Sequence, residues 1–123
     1  MNAPKHILLS TFCSQLETFV SELKKMYPDD PDFALASTTI GLVKSVNPNM
    51  LLNQFYEASK SYESQILTKN EHFFLDHDFA EFGADFNLLA KLKEYVKSMS
   101  PSSKTAVWAY IQNLYRLASA YTN

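Results

Sequence analysis

The sequence predicts an all-α fold, a compact bundle of about five helices in a single domain, on three observations. Apolar residues recur at three- and four-residue steps along most of the chain, which is the period of a helix face. Only two glycines, Gly41 and Gly83, occur in 123 residues, too few for many tight hairpins or for a glycine-rich phosphate cradle. Proline and asparagine fall where they punctuate helical segments, and no linker, repeat, low-complexity tract or β-like alternation interrupts them. The length suits one core and is too short for two.

The first helix is expected from about Lys5 to Tyr27, with Leu8, Phe12, Leu16, Phe19, Leu23 and Met26 on one face. Pro28 disfavours helical geometry at Tyr27, Asp30 is placed to cap, and Pro31 suits a first helical position. A second helix, about Pro31 to Val46, carries Phe33, Leu35, Ala36, Ile40, Leu42 and Val43 and only Lys44 as a charge after Asp32. Apolar over much of its circumference, it reads as a central helix contacted on several sides. Asn47-Pro48 breaks it, with Asn47 as the expected cap of a third helix, about Pro48 to Lys69. There Leu52, Phe55, Tyr56, Tyr62 and Ile66 form the inner stripe, and Glu57 and Lys60 are spaced for a weak surface pair.

Asn70 to Asp85 departs from this pattern. It holds five carboxylates, four Phe, two of the three His and no Lys or Arg, and it reads as one helical turn followed by a loop around Gly83. A fourth helix is expected from about Asp85 to Met99, with Leu88, Leu92, Tyr95, Val96 and Met99 inward and Lys91, Lys93 and Lys97 outward. Ser100-Pro101, a cap followed by a first-turn proline, opens a fifth helix to about Tyr121, lined by Val107, Trp108, Ile111, Leu114, Tyr115, Ala118 and Tyr121.

Composition narrows the function classes. Net charge is −2 and ten of the eleven basic residues are Lys, Arg116 being the one Arg. Binding of nucleic acid through phosphates calls for a basic surplus, and bidentate clamping calls for Arg, so nucleic acid is not the expected partner. No run approaches the roughly 18 apolar residues of a membrane span, and the N-terminus turns amphipathic too early for a secretory signal, so no membrane insertion is expected. The single Cys13 excludes an internal disulfide and a cysteine-based zinc site and points to a reducing, intracellular setting, cytoplasm or nucleus.

No catalytic constellation is recognisable. Cys13 lies in the apolar part of the first helix and reads as a packed thiol, and no G-x-S-x-G turn accompanies the serines. His72 and His77 with Glu71, Asp76 and Asp78 offer imidazole and carboxylate donors, the basis of an alternative reading as a metal-dependent enzyme. Their spacing matches neither HEXXH, nor the Glu-x-x-His pairs of di-iron bundles, nor an EF-hand, so neither a metal nor another cofactor is expected. Clustered rings beside acids have the make-up of a docking patch for a basic or amphipathic partner, and equally of rings that fill the bundle's own core. Phe74, Asp76, Asp78, Phe79 and Glu81 are the expected contact residues, with Lys93 and Lys97 as a second patch.

Four stretches taken together resemble a known group. They are the Pro-Asp-Asp-Pro-Asp turn after Tyr27, Val46-Asn47-Pro48-Asn49, the Asn-Glu-His-Phe-Phe-Leu turn at 70–75, and Val-Trp-Ala-Tyr-Ile-Gln-Asn-Leu at 107–114. Over nearly the full chain the pattern is similar to small, functionally uncharacterised helical proteins of large nucleocytoplasmic DNA viruses and related environmental sequences. The resemblance implies expression in an infected eukaryotic cell and a role at a viral or host protein, and it supplies no site residues. The expected function is thus a non-enzymatic helical interaction module, an adaptor or modulator that binds another protein or itself. The alternative within the same fold is a structural, self-associating assembly component.

Overall fold

The computed structural model describes residues 3–76 and 88–123, with no side chain described between 74 and 90. It is an all-α bundle: α1 (Lys5–Met26), α2 (Pro31–Val46), α3 (Pro48–Ser59), a 3-10 turn (Lys60–Tyr62), α4 (Glu63–Leu67), α5 (Glu71–Asp76), α6 (Leu88–Val96) and α7 (Pro101–Thr122). No strand occurs among the described residues.

The two 22-residue helices, α1 and α7, form the spine and pack on each other more extensively than any other pair. α1 buries Phe12, Cys13, Leu16, Phe19, Val20 and Leu23, and α7 answers with Val107, Trp108, Ile111, Leu114, Tyr115 and Ala118. Rings set the contact geometry. Phe19 stacks on Tyr110 at 4.8 Å between centroids, and Phe12 meets Phe55 of α3 edge-on at 5.6 Å. Each large side chain taken out of water here contributes about 1.5–3 kcal/mol.

Local signals set most boundaries as the residue types require. The Asp30 carboxylate accepts the Asp32 N–H at 2.9 Å ahead of Pro31, and the Ser100 hydroxyl accepts the Ser103 N–H at 3.2 Å ahead of Pro101. Asn47 does not cap α3 with its side chain. Its N–H closes α2 on the Val43 carbonyl and its own carbonyl accepts from Met50, so the junction is made by backbone alone.

Two further expectations are corrected. The third helix is not continuous to Lys69. It breaks after Ser59, whose buried hydroxyl donates to the Phe55 carbonyl at 2.6 Å, and passes through the 3-10 turn into the five-residue α4. The apolar period survives the break: Leu52 and Ile66 are buried, and Phe55, Tyr56 and Tyr62 pack against the core. α4 then ends in a Schellman-type closure, with Asn70 N–H on the Gln65 carbonyl, Lys69 N–H on the Ile66 carbonyl, and Lys69 left-handed at φ 55°. Gln112 of α7 donates to the Ile66 and Leu67 carbonyls at 3.1 Å each, supplying donors to the last turn of α4.

The second correction concerns α2, which is peripheral. It buries only Phe33, Ala36 and Ile40, against α1 and α3, while Leu35, Leu42 and Val46 are 59%, 64% and 85% exposed. The two spine helices take the centre that its composition suggested for it.

Candidate functional site

Two features outside the ordinary core carry chemistry or binding potential: a polar cluster where α6 meets the α1–α2 turn, and the outward face of α2. In the cluster, the Asp30 carboxylate lies 2.9 Å from the Lys91 ammonium and accepts the Tyr95 hydroxyl. Lys91 also reaches Asp32 at 2.8 Å and is 17% exposed. Lys91 and Tyr95 are four residues apart on α6 and so share a face. The Tyr95 ring lies on Tyr27 at 3.9 Å and beside Phe33 at 5.8 Å.

The electrostatics follow from that geometry. Hydrogen bonds from Tyr95, Lys91 and the Asp32 N–H hold the Asp30 carboxyl down at about 2. The Asp32 and Asp30 carboxylates push the Lys91 ammonium well above its ordinary value. The bond to Asp30, with burial, pushes the Tyr95 phenol up. Tyr95 is therefore held protonated and Lys91 charged, which locks protons in place and opposes their transfer near neutrality. This is a latch that fixes α6. It corrects the expectation that Lys91 faces outward with Lys93 and Lys97: Lys93 shares its helix and Lys97 lies just past the end, but Lys91 is turned into the latch. Lys104, in the first turn of α7, lies 3.1 Å from Glu71 at the start of α5.

The outward face of α2 differs in kind. From Phe33 to Val43 the helix carries no charge. Leu35, Leu42 and Val46 recur at steps of seven and four and so form one ridge, and Met50, just past the Asn47-Pro48 junction, is 42% exposed. The hydroxyl of Thr38 donates to the Ala34 carbonyl at 3.2 Å and that of Ser45 to the Leu42 carbonyl at 2.9 Å. Both are satisfied within the helix, so covering them strands no donor. The flanking charges are engaged within the chain, Asp32 with Lys91 and Lys44 with Glu17 at 2.8 Å. An apolar, uncharged and internally satisfied helix face is the surface type that gains free energy when a partner covers it.

The contact residues expected from sequence are only partly described. Phe74 and Asp76 lie on α5 with their side chains outside the described set, as is that of Leu88, and Asp78, Phe79 and Glu81, with His77, lie outside the described residues. Lys93 is half-buried on α6 and Lys97 is exposed just beyond its end. His72 is exposed on α5, and among the described residues no group of three His, Cys, Asp or Glu is close enough to hold a metal ion. Cys13 is a packed thiol at 1% exposure, pushed up by burial. No described helix is long and apolar enough to cross a membrane. A shallow groove of about 280 Å³ between α1 and α7, floored by Phe19, Leu23, Val107 and Tyr110, has Glu22 and Met26 among its other lining residues.

The α2 face was not among the sequence-derived sites. Its signal was present as the missing charge between Asp32 and Lys44, but that signal is shared by a buried helix and an interface helix. Comparison with family models, with curated proteins and with solved structures finds no match, so function is read from this chain's own residues.

Proposed function

We propose that this chain is a non-enzymatic helical interaction module, an adaptor or modulator that works by docking a protein on a preformed helix face. The observation that carries the reading is the outward face of α2, where Leu35, Leu42 and Val46 stand in water on an uncharged helix. None of the three side chains belongs to the core formed by the described residues, and their exposure carries a solubility cost that binding offsets. The state of the latch agrees. The best-built polar cluster among the described residues holds its protons fixed, whereas acid–base catalysis needs a group that titrates near working pH. The acidic-aromatic segment with Phe74, Asp76, Asp78, Phe79 and Glu81, and the pair Lys93 and Lys97, are the second proposed contacts. On the resemblance to proteins of large DNA viruses, the partner belongs to the virus or its host.

Affinity purification of the wild type beside a Leu35→Glu/Leu42→Glu variant and an Asp76→Lys/Asp78→Lys variant tests this. A partner held by the wild type and released by the α2 variant, with the helical circular dichroism unchanged, is the expected result. Release by the acidic-segment variant alone moves the docking site to that segment. Partners retained by both variants as by the wild type would remove both surfaces and the reading with them.

A further inference from the structure

We infer that the occupant of the α2 face is α2 of a second copy of this chain, the two helices running parallel about a two-fold axis. This rests on the docking reading above and names the partner. The first ground is charge. A face that meets itself must avoid placing like charges opposite one another, and this one has none between Asp32 and Lys44, each of which is bound to its own chain through Lys91 and Glu17.

The second ground is shape. Each large residue of the ridge follows a small one: Ala34-Leu35, Gly41-Leu42 and Ser45-Val46. With 3.6 residues per turn, the ridge of Leu35, Leu42 and Val46 lies on one side of the outward line through Thr38. Ala34, Gly41 and Ser45 lie on the other side and form a groove. A two-fold axis parallel to the helices turns the ridge of each copy onto the groove of the other, so Leu42 sits over Gly41, Leu35 over Ala34 and Val46 over Ser45. An antiparallel pair would set ridge against ridge.

The third ground is Gly41 itself. Among the described residues a Cβ added there meets nothing within 4 Å, so their packing does not require glycine at an exposed mid-helix position where glycine is unfavourable. Close approach of a second helix does require it. Size sets the strength. A 16-residue helix is about 24 Å long and, with side chains, about 10 Å across. Such a strip on each copy falls short of the roughly 1,200 Å² total of stable complexes, so the pair belongs to the weak, concentration-dependent class.

Sedimentation equilibrium of the full chain, from low micromolar to millimolar concentration, reads the outcome. The mass is expected to climb from 14.0 kDa toward twice that value. Gly41→Leu fills the groove with a good helix former. It should raise the thermal midpoint of the dilute protein and weaken association by about tenfold or more. On mild oxidation, Thr38→Cys and Ser45→Cys should each cross-link to its own kind, since both lie near the two-fold. A wild type that stays at 14.0 kDa throughout overturns the inference, as does a Gly41→Leu variant that associates as tightly as the wild type. Cross-linking of Thr38→Cys alone overturns the parallel arrangement. A monomeric wild type whose Leu35→Glu/Leu42→Glu variant still loses a different partner would sink the second copy and leave the docking surface standing.

Discussion

Lys69 is the described non-glycine residue that the fold forces into left-handed backbone, at φ 55°, and its position explains why. The Schellman closure of α4 needs one residue of positive φ to turn the Asn70 N–H back onto the Gln65 carbonyl, and the sequence places lysine there. An L-residue in that conformation costs about 1–2 kcal/mol, against about 0.5–1 kcal/mol for the extra chain entropy that glycine loses. The Lys69 side chain is exposed, so removing it gives up no packing. Lys69→Gly should therefore stabilise the protein by about 0.5–1 kcal/mol, read as a higher urea midpoint with an unchanged denaturant slope. A lower midpoint would mean that the lysine contributes more through its side chain than its backbone conformation costs. Nothing local announces this residue: the helical period runs through 60–69 without interruption, and the break shows only in the hydrogen bonds of Ser59 and Asn70.

Among the elements, α6 joins a polar fastening to an apolar one. Leu92, Val96 and Met99 reach the core, but its seat beside the α1–α2 turn is fixed by Asp30, Lys91 and Tyr95. Asp30 is held at about 2, below its ordinary 3.8. A carboxyl lowered on folding adds stability that is complete above its unfolded value and disappears as pH falls through its folded value. The window is thus from about pH 4 down to about pH 2. Asp30→Asn keeps an oxygen to accept the Asp32 N–H while removing the charge that binds Lys91. Its unfolding midpoint should be lower than wild type at neutral pH and should fall less steeply through that window, and parallel curves would exclude the latch as a source of stability. The partners lie about sixty positions apart in the chain, so sequence reading saw Asp30 as a cap, which it is, and Lys91 as a surface residue, which it is not. A helix face is legible where a single apolar stripe exists, as in α7 and in α1 from Phe12 to Leu23, although Met26, expected on the same face, is 40% exposed. α2 carries two stripes, Phe33-Ala36-Ile40 and Leu35-Leu42-Val46, and periodicity alone does not say whether both are buried.

At the scale of the whole molecule, those two stripes separate what folds the chain from what the chain offers to a partner. Phe12 is fully buried where α1 meets α3, and its ring packs edge-on against Phe55, so Phe12→Ala leaves a cavity in the spine that its neighbours only partly fill. The expected cost is about 3–5 kcal/mol, against a total of about 5–15 kcal/mol for a typical domain. Leu42 is as large an aliphatic residue as any in the core yet is 64% exposed, and on the folded monomer it contributes little. Leu42→Glu should change stability by no more than about 0.5 kcal/mol, while it sets a carboxylate at the middle of the face and, in the two-fold pair, close to its own copy. Denaturant titration of dilute protein beside a binding measurement reads the two effects separately. Phe12→Ala should lose stability and, where still folded, keep the surface; Leu42→Glu should keep stability and lose association. If Leu42→Glu instead unfolded the dilute protein, Leu42 would belong to the core, and the apolar face of α2 would be structural surface with no occupant to explain.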